Sequence, residues 1–214
     1  MRMKEEREFV VEYGKKLVTA GLTKGTGGNI SVFDRRTGLM AISPSGLSYF
    51  ETRPEDVVVL DVEDYTIIES DRKPSSEFSM HGIFYRKRED IDAVVHIHST
   101  YATVLASLRQ DLPAISYLVA YAGHDVRCAK YASFGTTELA ENAFGAMRER
   151  NAVLLANHGL LAGSQDIHNA FNIAEQIEFC CEIYHKSKII GEPVLLELNE
   201  MDRMIEEFKT YGQI

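Results

Sequence analysis

Cysteine is scarce in this 214-residue sequence: of three, Cys180 and Cys181 are adjacent within a helical pattern and Cys128 stands alone. That set builds no disulfide framework, and without a Cys-x-x-Cys pair a thiolate zinc site is not expected either. A basic excess is missing too. Lys and Arg number 23 against 32 Asp and Glu, a formal net charge of -9, whereas a general binder of nucleic-acid backbone needs a basic face. No nucleic-acid partner is expected, although a few local donors can still hold one anionic group. No run approaches the ~20 apolar residues that span a bilayer, and the charged start Met-Arg-Met-Lys-Glu-Glu-Arg precedes no apolar leader. No membrane partner is expected, and the expected compartment is the cytoplasm. Internal repeats and low-complexity tracts are absent. So are two phosphate fingerprints: no G-x-G-x-x-G joins a strand to a helix, and there is no G-x-x-x-x-G-K-[ST]. A doubly wound nucleotide-binding fold and a nucleoside triphosphate are therefore disfavoured.

What is present reads as one substantial domain over residues 1–214, with hydrophobic residues at 45% and charged residues at 26%. Phe9, Val10, Tyr13, Leu17 and Val18 recur at helical spacing between Glu5 and Ala20, and Gly21 supplies a stop. Ile30–Phe33 and Leu39–Ile42 read as strands about a turn at Arg35–Gly38, and Val57–Val62 with Thr66–Glu69 as a further pair. Pro74-Ser75-Ser76-Glu77 looks like a helix entry capped by Ser75 or Ser76, with Met80, Ile83 and Phe84 on the buried side. Ala93–His98 is a strand and Thr100–Leu108 a short helix. Thr137–Arg148 is an amphipathic helix, and Val153–Ala156 and Leu160–Leu161 are strand segments around Asn157-His158-Gly159. Helices over Ile167–Lys188 and Glu200–Phe208 complete the pattern. Hairpin-like strand pairs mixed with helices, without regular βαβ alternation, predict an α/β fold: three layers, α/β/α, around a mixed, largely antiparallel sheet.

The chemistry-bearing residues begin with His96 and His98. At i and i+2 of a strand both imidazoles project from one face and can reach one ion. His158, beside Gly159 at the end of an apolar strand, is the natural third ligand, and three histidines with an open or carboxylate-filled position describe a catalytic zinc site. His81, His124, His168 and His185 have no partner at metal spacing, and His168 and His185 are expected to be solvated. Glu77 carries two readings: a first-turn glutamate favoured by the helix dipole, or a fourth ligand that yields to substrate and accepts a carbon-bound proton.

Three segments offer compact donors for an anion. Gly25-Thr26-Gly27-Gly28-Asn29 can expose successive backbone N–H groups, Ser43-Pro44-Ser45-Gly46 is a tight turn with hydroxyl and amide donors, and Ser75-Ser76 lies at a helix N-terminus. Each is by itself an ordinary turn or cap. Together they describe a pocket for one phosphate.

In their order along the chain, Gly25-Thr26-Gly27-Gly28-Asn29-Ile30-Ser31, Ser43-Pro44-Ser45-Gly46, Pro74-Ser75-Ser76-Glu77, His96-Ile97-His98-Ser99 and Asn157-His158-Gly159 resemble the class II aldolase/epimerase superfamily. The likeness covers nearly the whole chain and is strongest to the L-fuculose-1-phosphate aldolase branch, supported by Tyr131-Ala132-Ser133-Phe134-Gly135-Thr136 and Phe208-Lys209-Thr210-Tyr211-Gly212. The resemblance implies one Zn2+ per subunit on His96, His98, His158 and Glu77, with Glu77 also moving the proton. It implies substrate phosphate on Gly28, Asn29, Ser45, Gly46, Ser75 and Ser76, and Tyr117 protonating the departing aldehyde's oxygen. A homotetramer is implied, with sites between subunits and Tyr117, Phe134, Phe208 and Tyr211 supplied by the neighbour, Tyr211 from a mobile tail over about residues 200–214. The reaction implied is reversible cleavage of a ketose 1-phosphate, like L-fuculose 1-phosphate, to dihydroxyacetone phosphate and an aldehyde such as L-lactaldehyde. No Schiff-base lysine is then needed, and the chain is short for the barrel of about 250 residues that lysine-dependent aldolases use.

Other members of the scaffold set the alternatives. L-Ribulose-5-phosphate 4-epimerases carry an acid in the segment reading here Ser116-Tyr117-Leu118-Val119-Ala120, which has none. Sugar-phosphate dehydration is a third chemistry for the same site. A non-catalytic module like the adducin head has no reason to keep three histidines, Glu77 and the phosphate turns together.

Overall fold

Strand β5, Ala93–Ile97, is buried at every position and lies at the middle of a single eight-stranded sheet. In this computed structural model, which describes residues 1–211, the other strands are β1 (Asn29–Asp34), β2 (Leu39–Ile42), β3 (Val58–Asp61), β4 (Ile67–Glu69), β6 (Cys128–Ala129), β7 (Ala152–Leu155) and β8 (Gly159–Ser164). Their order is β4-β3-β2-β1-β5-β8-β7-β6. Every pairing is antiparallel except β6 with β7. The mixed, largely antiparallel sheet is the one the sequence predicts.

Two apolar cores enclose it. Ala93, Val95 and Ile97 of β5 pack with helices α1 (Lys4–Thr19), α3 (Thr100–Ser107), α5 (Ile167–Ile190) and α6 (Leu198–Phe208). Val94 joins the opposite core, with α2 (Phe78–Lys87) and α4 (Thr137–Ala146). Alternation along the strand thus sends residues to two different helix layers, which is why β5 reads as a continuous apolar run. Each Val, Leu or Ile so buried contributes about 1.5–3 kcal/mol. One position breaks the run: His96, on the α2 side, has no exposed surface.

Local differences from the sequence reading follow from weak signals. The two-residue β6 and the 3-10 turns Pro54–Asp56 and Tyr117–Tyr121 are too short to show a period. Helix α2 begins at Phe78 with Glu77 in the cap position, and Glu77 makes no capping bond; Ser75 Oγ instead accepts from the Glu77 N–H at 3.3 Å. The tail expected to be mobile from about residue 200 starts as helix α6, anchored by buried Met201 and Met204. Gly212 and the rest of that tail lie outside the described residues.

Candidate functional site

The sheet delivers the site from adjacent strands. Asn29 of β1 and His96 of β5 are register partners on the face toward α2, and His98 follows one residue beyond the end of β5. His158 lies in the turn from β7 to β8. There the residue with a left-handed backbone is Asn157 (φ 54°), a conformation asparagine tolerates, so Gly159 is not the turning residue that its place in the sequence suggests. Gly159 has another reason to lack a side chain: a Cβ there would stand 2.2 Å from the Ile97 carbonyl oxygen. On the other flank a Cβ on Gly28 would stand 2.5 Å from the His96 carbonyl oxygen, at φ +70°. Two glycines thus let neighbouring strands close on the His-x-His segment from both sides.

The imidazoles converge. His96 Nε2 is 2.9 Å from His98 Nε2 and 3.2 Å from His158 Nε2. Glu77 Oε2 lies 3.4 Å from His96 Nε2, and Oε1 lies 3.5 Å from His158 Nε2. A tetrahedron with bonds of about 2.0–2.1 Å has edges of about 3.3 Å, so these spacings suit four donors around one divalent ion. The chemistry agrees. His96 Nδ1 donates to the Leu160 carbonyl at 2.9 Å, which leaves its Nε2 with a free lone pair. Burial, followed by the charges of His158 and His98, drives the His96 pKa well below the ordinary histidine value. Partial burial, then His158, lowers that of His98. Both rings are therefore neutral near pH 7, the form that ligates a metal. Glu77 is buried, yet its Oε1 has no hydrogen-bond partner. An orphaned carboxylate oxygen beside three converging imidazole nitrogens is costly unless a cation joins them, and the residues fit one.

A cleft of about 500 Å³ opens beside this cluster, within the range of small-molecule sites. It is lined by Thr26–Asn29, Pro44–Gly46, Ser75–Glu77, His98, Asn157, His158, Tyr131, Ala132 and Phe134. The structure therefore brings the three donor segments together: Ser45 N donates to Lys73 O at 2.9 Å and Ser75 N to Ser43 O at 3.0 Å, lacing two of them into one surface. No Lys or Arg lines it. An anion there would meet hydroxyls, amides and the N-terminus of α2. Asn29 is already committed: its Nδ2 donates to Glu77 Oε2 at 2.9 Å and its Oδ1 faces His81 Nε2 at 2.5 Å, which leaves one side-chain N–H for a ligand. A second depression, lined by Lys24, Ser99, Thr100, Thr103, Val104, Ser107 and Leu108, shares His98 and His158 with the first.

The aromatic residues divide. Phe134, which the resemblance assigns to a neighbouring subunit, lines the cleft of its own chain. Tyr117, Phe208 and Tyr211 do not line it. Phe208 stacks on Tyr121 at 4.0 Å and stands 6.1 Å from Tyr117 and 5.8 Å from Tyr211, ring centre to ring centre; Tyr117 and Tyr211 are exposed.

Three supports escape sequence reasoning. Tyr49 packs its ring against Gly14 and donates to the Gly28 carbonyl at 2.8 Å, holding the glycine loop from behind. Glu178 of α5 accepts from Ser99 Oγ (2.6 Å), Tyr101 N (2.8 Å) and Ala102 N (2.7 Å), fixing the start of α3 directly after His98. His81 is fully buried and hydrogen-bonded at both ring nitrogens, to Asn29 and to Ser31; burial lowers its pKa to about 3. Their only signal in the sequence is polarity on otherwise apolar faces.

Comparison with known proteins decides the family. Residues 8–185 match the class II aldolase and adducin N-terminal domain. The chain belongs to that family. It is 60% identical to a 5-deoxy-D-ribulose 1-phosphate aldolase of Bacillus thuringiensis serovar kurstaki, over 100% of both chains. It is 42% identical to a 5-methylthioribulose-1-phosphate/5-deoxyribulose-1-phosphate aldolase of Rhodospirillum rubrum, over 96% of this chain and 92% of that one. A solved structure titled L-fuculose 1-phosphate aldolase superposes with a TM-score of 0.95 at 56% identity, covering 98% of each chain. The chain is a class II aldolase acting on phosphorylated sugars, and its Glu/His cluster is a candidate site for the metal ion on which such aldolases depend. No helix of this aldolase, among the described residues, is long and apolar enough to cross a membrane.

Proposed function

We propose that the aldolase cleaves a deoxyketose 1-phosphate between C3 and C4, with 5-deoxy-D-ribulose 1-phosphate as substrate and dihydroxyacetone phosphate and acetaldehyde as products. The observation that carries this reading is the cation-free anion cradle opening directly onto the Glu77–His96–His98–His158 cluster. The 60% identity to a relative named for that substrate favours it. The sequence reading put L-fuculose 1-phosphate first, and the structural neighbour of that name keeps it as the second substrate. Both sugars end in a methyl group and differ in the aldehyde released, acetaldehyde or L-lactaldehyde.

Zinc is the metal proposed, on His96, His98 and His158 with Glu77 as the exchangeable fourth ligand. When bound, such a cation supplies Lewis acidity toward the negative charge that develops on the substrate's oxygens as the bond breaks. The chain's own groups do the rest. Ser45, Gly46, Ser75, Ser76, Gly28 and Asn29 hold the phosphate, which fixes the reacting carbons relative to Glu77. The free Oε1 of Glu77 takes and returns the proton at the carbon beside the carbonyl. Tyr117, from a neighbouring subunit of a homotetramer with Phe208 and Tyr211 beside it, takes the C4 hydroxyl proton as that oxygen becomes the aldehyde's carbonyl, and gives it back in the condensation direction. Their clustering away from their own chain's cleft supports that assignment. The cytoplasm is the proposed compartment.

A cleavage assay tests the reading. Metal-loaded protein is offered 5-deoxyribulose 1-phosphate, L-fuculose 1-phosphate and L-ribulose 5-phosphate, with and without chelator. Chelator-sensitive release of dihydroxyacetone phosphate, fastest from the first sugar, is expected. Conversion of the 5-phosphate to an epimer without cleavage of either 1-phosphate would sink the proposal.

A further inference from the structure

Running back from the cleft, five side chains form one unbroken line. Glu77 Oε2 accepts from Asn29 Nδ2 at 2.9 Å. Asn29 Oδ1 and His81 Nε2 are 2.5 Å apart, and His81 Nδ1 and Ser31 Oγ are 2.6 Å apart. Ser31 Oγ lies 2.5 Å from the Tyr85 hydroxyl, which also reaches the Ser31 carbonyl at 3.1 Å. Asn29, Ser31, Glu77, His81 and Tyr85 are all buried.

Donors and acceptors can be assigned along this line in only one way. An ionised carboxylate accepts only, so the amide NH2 of Asn29 must face Glu77 and its carbonyl must face His81. The His81 proton then sits on Nε2, and its bare Nδ1 accepts from Ser31. Ser31 Oγ in turn accepts from Tyr85, whose single proton is shared with the Ser31 carbonyl. Turning the Asn29 amide over would set its carbonyl against the carboxylate, a repulsive contact in a dry interior, and would require the other tautomer of His81.

We propose that His81 is a positioning residue for Glu77: by locking the amide of Asn29 it commits Oε2 of the carboxylate and leaves Oε1 free toward the imidazole cluster. The two oxygens of Glu77 are unlike in this structure, one held and one unpartnered. His81 touches neither the cleft nor the three other candidate ligands within hydrogen-bond distance, and it acts through Asn29. The inference rests on the reading of Glu77 as ligand and proton carrier.

Two measurements test it on the full chain. Zinc affinity is read by competition with a chromophoric chelator. Exchange of the carbon-bound protons of dihydroxyacetone phosphate with deuterated water is followed by NMR at metal saturation. The variants are His81→Leu, His81→Gln, which keeps an N–H toward Asn29, and Ser31→Ala. His81→Leu is expected to lose about 10- to 100-fold in zinc affinity and in the exchange rate constant, the usual cost of losing an outer-shell partner, with KM changed by less than about 3-fold. His81→Gln should recover most of the loss, and Ser31→Ala should fall between. Folded His81→Leu matching the wild type in both readouts overturns the proposal. So does a His81→Gln no better than His81→Leu, which marks a packing role. If His81→Leu does not fold, Ser31→Ala at wild-type affinity and exchange overturns it. Wild-type protein that exchanges no proton sinks the reading of Glu77 as proton carrier instead, and the zinc-affinity ratios still decide the role of His81.

Discussion

Gly159 and Ile97 touch through their backbones: a methyl group on the glycine would stand 2.2 Å from the Ile97 carbonyl oxygen. Gly159→Ala must therefore push β8 from β5, where the residues on either side of Ile97, His96 and His98, are both candidate metal ligands. We expect a loss of about 1–3 kcal/mol from overpacking. Metal affinity should fall more than thermal stability accounts for, because His158 moves with its strand. Parallel thermal denaturation of metal-free and metal-loaded protein checks this. A variant whose metal-induced stabilisation equals that of wild type would show that the contact only closes the sheet.

Glu77→Gln keeps the shape of the side chain and removes its ability to accept a proton. The exchange of the carbon-bound proton of dihydroxyacetone phosphate should drop by about 10²- to 10⁴-fold, with the circular dichroism spectrum unchanged. Retained exchange in metal-loaded Glu77→Gln removes the residue from proton transfer.

Ser76 lines the cleft and stands on the approach to α2, far less entangled than the buried Ser75. Ser76→Ala should raise KM for a ketose 1-phosphate by roughly 10-fold, about one lost hydrogen bond to a charged group, while zinc content stays stoichiometric. An unchanged KM would place the phosphate elsewhere.

His81 gives the stability a pH dependence of known sign. Its folded pKa lies near 3, below the unfolded value of about 6.5, so the unfolded chain takes up a proton that the folded one refuses. The stabilisation is complete above about pH 6.5 and is lost as pH falls toward 3, at a slope of up to about 1.4 kcal/mol per pH unit. In metal-free protein between pH 6.5 and 4.5, His81→Gln should shed about one proton's worth of that slope. Equal slopes in variant and wild type would contradict a neutral, buried imidazole.

Much of this was legible beforehand, and the parts that were not share a physical character. Strand β5 could be read because a run of Ala93-Val94-Val95 has few alternatives, and the pairing of His96 with His98 follows from a two-residue repeat. His158 and Glu77 arrive from distant turns, so their convergence rests on the register of β5 with β8 and on where α2 starts. Neither leaves a periodic trace. Metal spacing is the wrong measure for His81, whose partners Asn29 and Ser31 lie about fifty positions earlier, on the strand beneath its helix. Gly159 is special for a cause that its place in a turn does not suggest. A positive φ can be guessed from a turn, but a neighbouring carbonyl cannot. The resemblance assigns Phe134 to another subunit, yet the loop that carries it packs on Ser76 of its own chain through Gly135.

The cradle without lysine or arginine has a consequence for traffic. A chain of net charge -9 repels a doubly charged sugar phosphate at long range, and no Lys or Arg in the cleft lining offsets the repulsion. Dissolved ions weaken that barrier. Capture of substrate should therefore hold or quicken as ionic strength rises, the reverse of an enzyme that draws its anion in with cationic side chains.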